Sequence, residues 1–147
     1  MPKKLNEGQL TEIAQIYGTP LYVYHAERIA FQYEKLKKAF RVIDARIYYA
    51  CKALTNIHIL RYVQSLGASL DCVSIYEVRI GLMAGFSKED ILFTPNCVDF
   101  NEILEAKELG VRINIDNISI LEQFGHAFNA SYPVCIRINP HIMAGGN

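Results

Sequence analysis

From Ile47 onward the chain keeps a beat. Strand-like apolar runs begin near Ile47, Ser69, Ile91, Val111 and Pro133 or Val134, so successive starts lie about 20 to 23 residues apart. Amphipathic helical patterns fill the intervals, over Ile57 to Leu66, Tyr76 to Ala84, Asn101 to Leu109 and Ile118 to Phe128. Gly67 and Gly110 stand just past helix ends, and Ser87 leads into an acidic pair. Two parallel strands need a crossover long enough for a helix, and this spacing supplies one each time. The pattern predicts βαβ units and a parallel sheet. Leucine-rich repeats share a period in the low twenties, but their alternating leucines closed by asparagine do not recur, and the intervals hold full-length helices.

The strand ends carry the chemistry. The first repeat strand closes on Lys52, the second on Asp71 and Ser74, the third on Thr94 and Asn96, the fourth on Asn114 and Asp116, and the fifth on Arg137 and Asn139. In a (β/α) barrel that edge is the carboxyl face on which active sites are built. In an open doubly wound sheet it is the crevice at the switch point. Strands must end in something polar, so some of these residues do no more than cap helices or turns. A lysine, an aspartate and an arginine at one edge ask for more, because buried charges must be paired and pairing them is a common device of functional sites. A closed barrel needs eight units and about 250 residues. This chain has 147 residues and supplies five strands, four of them followed by helices, before ending at Asn147.

Lys52 breaks the apolar run Ile47 to Cys51 at its carboxyl end. A long stem carrying the charge to solvent is the ordinary fate of such a lysine. The other is an amine that condenses with a carbonyl as a Schiff base. Pyridoxal phosphate chemistry would then need an acid near the ring nitrogen, anion-binding backbone for the phosphate, and an acid to reprotonate the product carbanion. Asp71, Glu77 and Arg137 are the charged candidates, whereas Gly145-Gly146 has no helix after it and makes a poor phosphate loop.

Composition narrows the partners. Fifteen basic and fifteen acidic side chains cancel, so no net field recommends nucleic acid or an anionic membrane. No apolar stretch of signal-peptide or membrane-spanning length occurs, and a cytoplasmic location is expected. Cys51, Cys72, Cys97 and Cys135 are spaced 21, 25 and 38 residues apart, without the close pairs of zinc or dithiol sites. All four are expected to be reduced core residues with no metal or disulfide role. His25, His58 and His126 have no ligand-like spacing and are expected at the surface or in caps. Ahead of the repeat, Leu10 to Tyr17 reads as a helix closed by Gly18, Leu21 to Tyr24 as a strand entered through Thr19-Pro20, and Ala26 to Phe40 as a helix. The apolar stripe of that last helix is Ile29, Tyr33, Leu36 and Phe40, and Lys35, Lys37, Lys38 and Arg41 form its solvated face.

Five segments, taken in order, are recognisable. Tyr49-Ala50-Cys51-Lys52-Ala53-Leu54, Gly67 to Ser74 with Glu77, Ile91 to Asn96, Asn114-Ile115-Asp116 and Ile136 to Pro140 together resemble the amino-terminal half of the fold-type III pyridoxal-phosphate decarboxylases. The likeness runs from about Gly18 to the last residue and rests on the order and spacing of all five. It implies an α/β fold, a partial (β/α)8 TIM barrel with about five of eight strands present. Residues 26–147 would be the amino-terminal half of the cofactor-binding barrel. Residues 1–25 would pack on a β domain, with Leu21 to Tyr24 joining its sheet. Lys52 matches the catalytic lysine that carries pyridoxal 5'-phosphate, Asp71 an aspartate close to that lysine and the ring, Glu77 a nearby buried acid, and Arg137 an arginine of the cofactor pocket that pairs with such acids.

The resemblance also implies a small amino-acid substrate, meso-2,6-diaminopimelate decarboxylated to L-lysine, and a head-to-tail homodimer. Alternatives are decarboxylation of carboxynorspermidine, ornithine or arginine, and a non-catalytic binding homologue. The family's ring-stacking histidine, glycine-rich phosphate loop, ring-nitrogen acid and substrate-side cysteine and tyrosine are expected beyond Asn147, and His141 is not that histidine. Leu54 stands where many relatives have asparagine, which blurs the substrate assignment.

Overall fold

The computed structural model describes residues 2–140, so the readings made of His141 and Gly145-Gly146 fall outside the described residues. The chain forms two compact units, Met1–Ala45 and Arg46–Asn147.

The first unit is helical. Helix α1 (Glu7–Tyr17) starts in a capping box: the Asn6 side chain accepts from the Gln9 backbone N–H, and the Gln9 side chain accepts from that of Asn6. Helix α2 (Ala26–Ala39) is capped by His25, whose Nδ1 accepts from Arg28 N–H at 3.3 Å. The other ring nitrogen, Nε2, lies 2.9 Å from the Lys3 carbonyl, a pairing that assigns the proton to Nε2. The expected strand over Leu21 to Tyr24 is not formed. These residues have no ladder partner among the described residues, and all four side chains are exposed. Apolar and β-branched character marks a segment able to join a sheet; only a neighbouring strand makes it one.

The second unit contains the repeat. Strands β1 (Tyr48–Ala50), β2 (Ser69–Cys72), β3 (Ile91–Phe93), β4 (Arg112–Ile115) and β5 (Cys135–Ile136) alternate with helices α3 (Ile57–Ser65), α4 (Ile75–Ala84), α5 (Phe100–Leu109) and α6 (Ile118–Phe128). All pairings are parallel, and the strands lie in the order β1-β2-β3-β4-β5. A doubly wound sheet reverses its order at a switch point. No reversal occurs among these strands, and the sequential winding is that of a (β/α) barrel.

Helix starts follow side-chain chemistry. Asn56, Ser74, Asp99 and Asn117 each accept a backbone N–H from the first turn of the helix that follows. Gly85 and Gly110 close α4 and α5 in the left-handed conformation, at φ 103° and 75°. The core lies between sheet and helices. Leu70, Cys72, Ile91, Phe93, Ile113 and Ile115 face Leu60, Val78, Ile103, Ala106 and Phe124, and all are buried. Of the cysteines, Cys51 and Cys72 are buried as expected, but Cys97 and Cys135 are exposed. Cys97 sits in the loop after β3 at φ 55°, and Cys135 is on β5, which has a single neighbour among the described strands. Near an apolar run is not the same as inside the core.

At the amino ends of the strands Asp90 gathers three partners. Its Oδ1 accepts from Arg46 at 3.1 Å and from Ser69 Oγ at 3.4 Å, and its Oδ2 from Ser87 Oγ at 2.8 Å. This edge ties the entries of three strands together and is a stability feature.

Phe93 has no exposed surface and Ile118 is 76% exposed. Phe93→Ala should lower unfolding stability by about 3–5 kcal/mol, and Ile118→Ala by less than about 0.5 kcal/mol. Urea denaturation followed by circular dichroism checks both.

Candidate active site

Period-two alternation divides each strand between two environments. On β2, Leu70 and Cys72 face the core while Asp71 and Val73 face the other way; on β3 and β4 the same alternation turns Leu92, Thr94 and Asn114 away from the helices. The parallel register aligns these positions, Ala50 with Asp71 and Asp71 with Leu92. Their side chains line an open cavity of about 700 Å³ at the carboxyl edge of the sheet, together with Tyr48, Lys52, Asn96 and Arg137.

Lys52 reaches it from a short 3-10 turn, Cys51–Ala53, that ends β1 and leaves the lysine exposed. The strand stops here because the turn redirects the backbone, with Leu54 N–H donating to Cys51 O at 3.0 Å. Asp71 is half-buried, and Thr94 Oγ1 donates to its Oδ1 at 2.7 Å, so the hydroxyl from β3's end orients the carboxylate from β2. Arg137 enters from the end of β5, where its backbone N–H donates to Ile115 O at 2.8 Å. A second recess of about 300 Å³ adjoins along the same edge, lined by Asn96, Asp116, Arg137 and Asn139.

Of the four residues singled out in the sequence, Lys52, Asp71 and Arg137 meet in one cavity. Glu77 is not among its lining residues. It is the third residue of α4, where Ser74 Oγ accepts its backbone N–H at 3.3 Å and its own Oε2 accepts from Val73 N–H at 2.8 Å. Its carboxylate acts as a helix cap behind the sheet. Among the described residues Arg137 forms no ion pair with Asp71 or Glu77; the ion pairs there join Arg46 to Asp90 and Arg79 to Glu105. Tyr48 was hidden because the run Ile47 to Cys51 is apolar throughout. The signal for it is the spacing Tyr48, Ala50, Lys52, which shares one face of a strand.

A chain that winds its strands sequentially and gathers a lysine, an aspartate and an arginine at their carboxyl ends is of the (β/α) barrel class, with its site on the expected face. The family can be given as well. Residues 26–147 match the model of the pyridoxal-dependent decarboxylase pyridoxal binding domain, and the chain belongs to that family. It is 40% identical over 136 residues to the diaminopimelate decarboxylase of Methanothermobacter thermautotrophicus, an alignment covering 91% of this chain and 32% of that one. Helicobacter pylori diaminopimelate decarboxylase complexed with L-lysine superposes with a TM-score of 0.81 at 31% identity, over 90% of this chain and 35% of that structure. Lysine/ornithine decarboxylase from Vibrio vulnificus, complexed with cadaverine, shares the fold with a TM-score of 0.81 at 24% identity, over 97% of this chain and 39% of that one. The chain spans about a third of the length of the curated relatives it matches.

Thr94→Val removes the donor to a part-buried carboxylate and should cost about 1–2 kcal/mol of stability, while Thr94→Ser should retain most of it. Paired chemical denaturation of the two variants checks this.

Proposed function

We propose that this chain is the amino-terminal part of a pyridoxal-phosphate-dependent carboxy-lyase that converts meso-2,6-diaminopimelate to L-lysine and carbon dioxide. The observation that carries the reading is Lys52, a primary amine held at the carboxyl edge of the sheet in the same cavity as Asp71 and Arg137. The donor set suits the cofactor: an amine for its aldehyde, a carboxylate fixed by a hydroxyl, and a guanidinium for an anion. When bound, pyridoxal phosphate supplies the electron sink for the carbanion left by departing carbon dioxide.

The chain's own residues hold and orient. Lys52 is the catalytic residue and the point of attachment. Asp71, oriented by Thr94, brings a carboxylate to the cavity that Lys52 enters. Arg137 brings a positive charge from β5, and with Lys52 it leaves the cavity one positive charge in excess of Asp71, which favours anionic ligands. Glu77 supports the cofactor side indirectly, by holding Val73 in the turn that leads from β2, which carries Asp71, into α4. Residues 26–147 belong to the barrel in this reading, and residues 1–25 pack on a β domain of the longer protein. That protein is a cytoplasmic homodimer whose active site forms between two subunits. Among the described residues no helix is long and apolar enough to cross a membrane. The substrate assignment rests on the relatives at 30 to 40% identity, which are diaminopimelate decarboxylases.

In the intact protein Lys52→Ala should reduce decarboxylation of meso-2,6-diaminopimelate by roughly 10³-fold or more. Borohydride reduction should leave a pyridoxyl group on the peptide containing Lys52 in the parent enzyme only. An active Lys52→Ala enzyme would refute the catalytic assignment, and higher kcat/KM for ornithine, arginine or carboxynorspermidine would move the substrate to polyamine metabolism.

A further inference from the structure

Behind the sheet, on the side away from the Lys52 cavity, two cysteines meet. The ladder pairs Ala50 with Asp71, and a cysteine follows each, Cys51 in the turn that ends β1 and Cys72 at the end of β2. Both are fully buried, and their sulfurs lie within 4.8 Å of each other. The contact holds the Cys51 thiol below its ordinary pKa and, with burial, pushes that of Cys72 far above. Glu77 completes the group, with its carboxylate and the two sulfurs all within 4.8 Å of one another.

Two chemistries suit such a cluster, and Glu77 decides between them. A thiophilic divalent cation would need both thiolates and the Glu77 carboxylate, which already accepts the Val73 N–H. A disulfide needs only the two sulfurs and leaves that bond in place.

We propose that Cys51 and Cys72 are a redox pair that a peroxide closes to a disulfide and a dithiol reopens. The Cys51 thiolate attacks one peroxide oxygen, breaking the O–O bond and releasing hydroxide, to give a sulfenic acid. The Cys72 thiol then attacks that sulfur and expels hydroxide, which takes up the thiol proton as water. Two thiols and one peroxide become one disulfide and two waters. The complete burial of both sulfurs selects a small oxidant over a bulky disulfide. Opening of the Cys51–Ala53 turn, held by the bond from Leu54 N–H to Cys51 O, would admit it. A dithiol reverses the closure by thiol–disulfide exchange. The pairing is independent of the proposed decarboxylase activity.

The test uses the intact protein with the exposed thiols removed, Cys97→Ser with Cys135→Ser, treated with hydrogen peroxide under native conditions. The mass should fall by two hydrogen atoms, titratable thiols in this region should fall from two to none, and a peptide linking Cys51 to Cys72 should appear and vanish with dithiothreitol. A further Cys51→Ser substitution should abolish the link. Persistence of both thiols, or addition of oxygen atoms in place of the link, would overturn the proposal. Retention of added zinc by a pair that does not bridge would assign the cluster to metal instead.

Discussion

The parallel ladder is the constraint on which the rest depends. Pairing β1 through β5 in sequential order and common direction puts every carboxyl strand end on one edge. It also puts the two sets of alternate side chains on opposite faces. One face is closed by four helices over Leu70, Phe93, Ile113 and their neighbours. The other carries Asp71, Thr94 and Asn114 in adjacent strands. Lys52 and Arg137, 85 positions apart in the chain, become neighbours of one cavity because each follows the end of its own strand.

The two edges of the sheet divide their tasks. At the amino edge Asp90 is engaged by Arg46, Ser69 and Ser87, with both carboxylate oxygens accepting. At the carboxyl edge the polar groups are less fully engaged: Asp71 keeps an oxygen beyond its bond from Thr94, and Lys52 is exposed. Unused hydrogen-bonding capacity on a rigid support is what a binding site requires. The same geometry makes the back of the sheet chemically distinct from the front. Cys51 and Lys52 are consecutive, yet one is sealed in the core and the other opens into the cavity.

Much of this was legible in the chain. The beat of strand and helix located the five strands and four α-helices described in the second unit to within a residue or two, because hydrophobic period and punctuation such as Gly67 and Gly110 act locally. The polar strand ends pointed to the cavity edge, and Lys52, Asp71 and Arg137 are found there. The misses share a cause. Leu21 to Tyr24 has strand composition but no partner among the described residues, and Cys97 and Cys135 lie beside apolar runs without being covered. Glu77, expected as a nearby buried acid, stands in the first turn of α4 with its carboxylate accepting the Val73 N–H.

The sequence by itself determined the elements, their order and the chemistry stationed at each strand end, since hydrophobic period, caps and glycines operate over a few residues. Only the tertiary structure decided which of those groups meet. That Thr94 orients Asp71, that Tyr48 lines the cavity and that Cys51 lies against Cys72 all follow from strand register. Register is set by which faces the helices bury, and no local pattern in the chain encodes it.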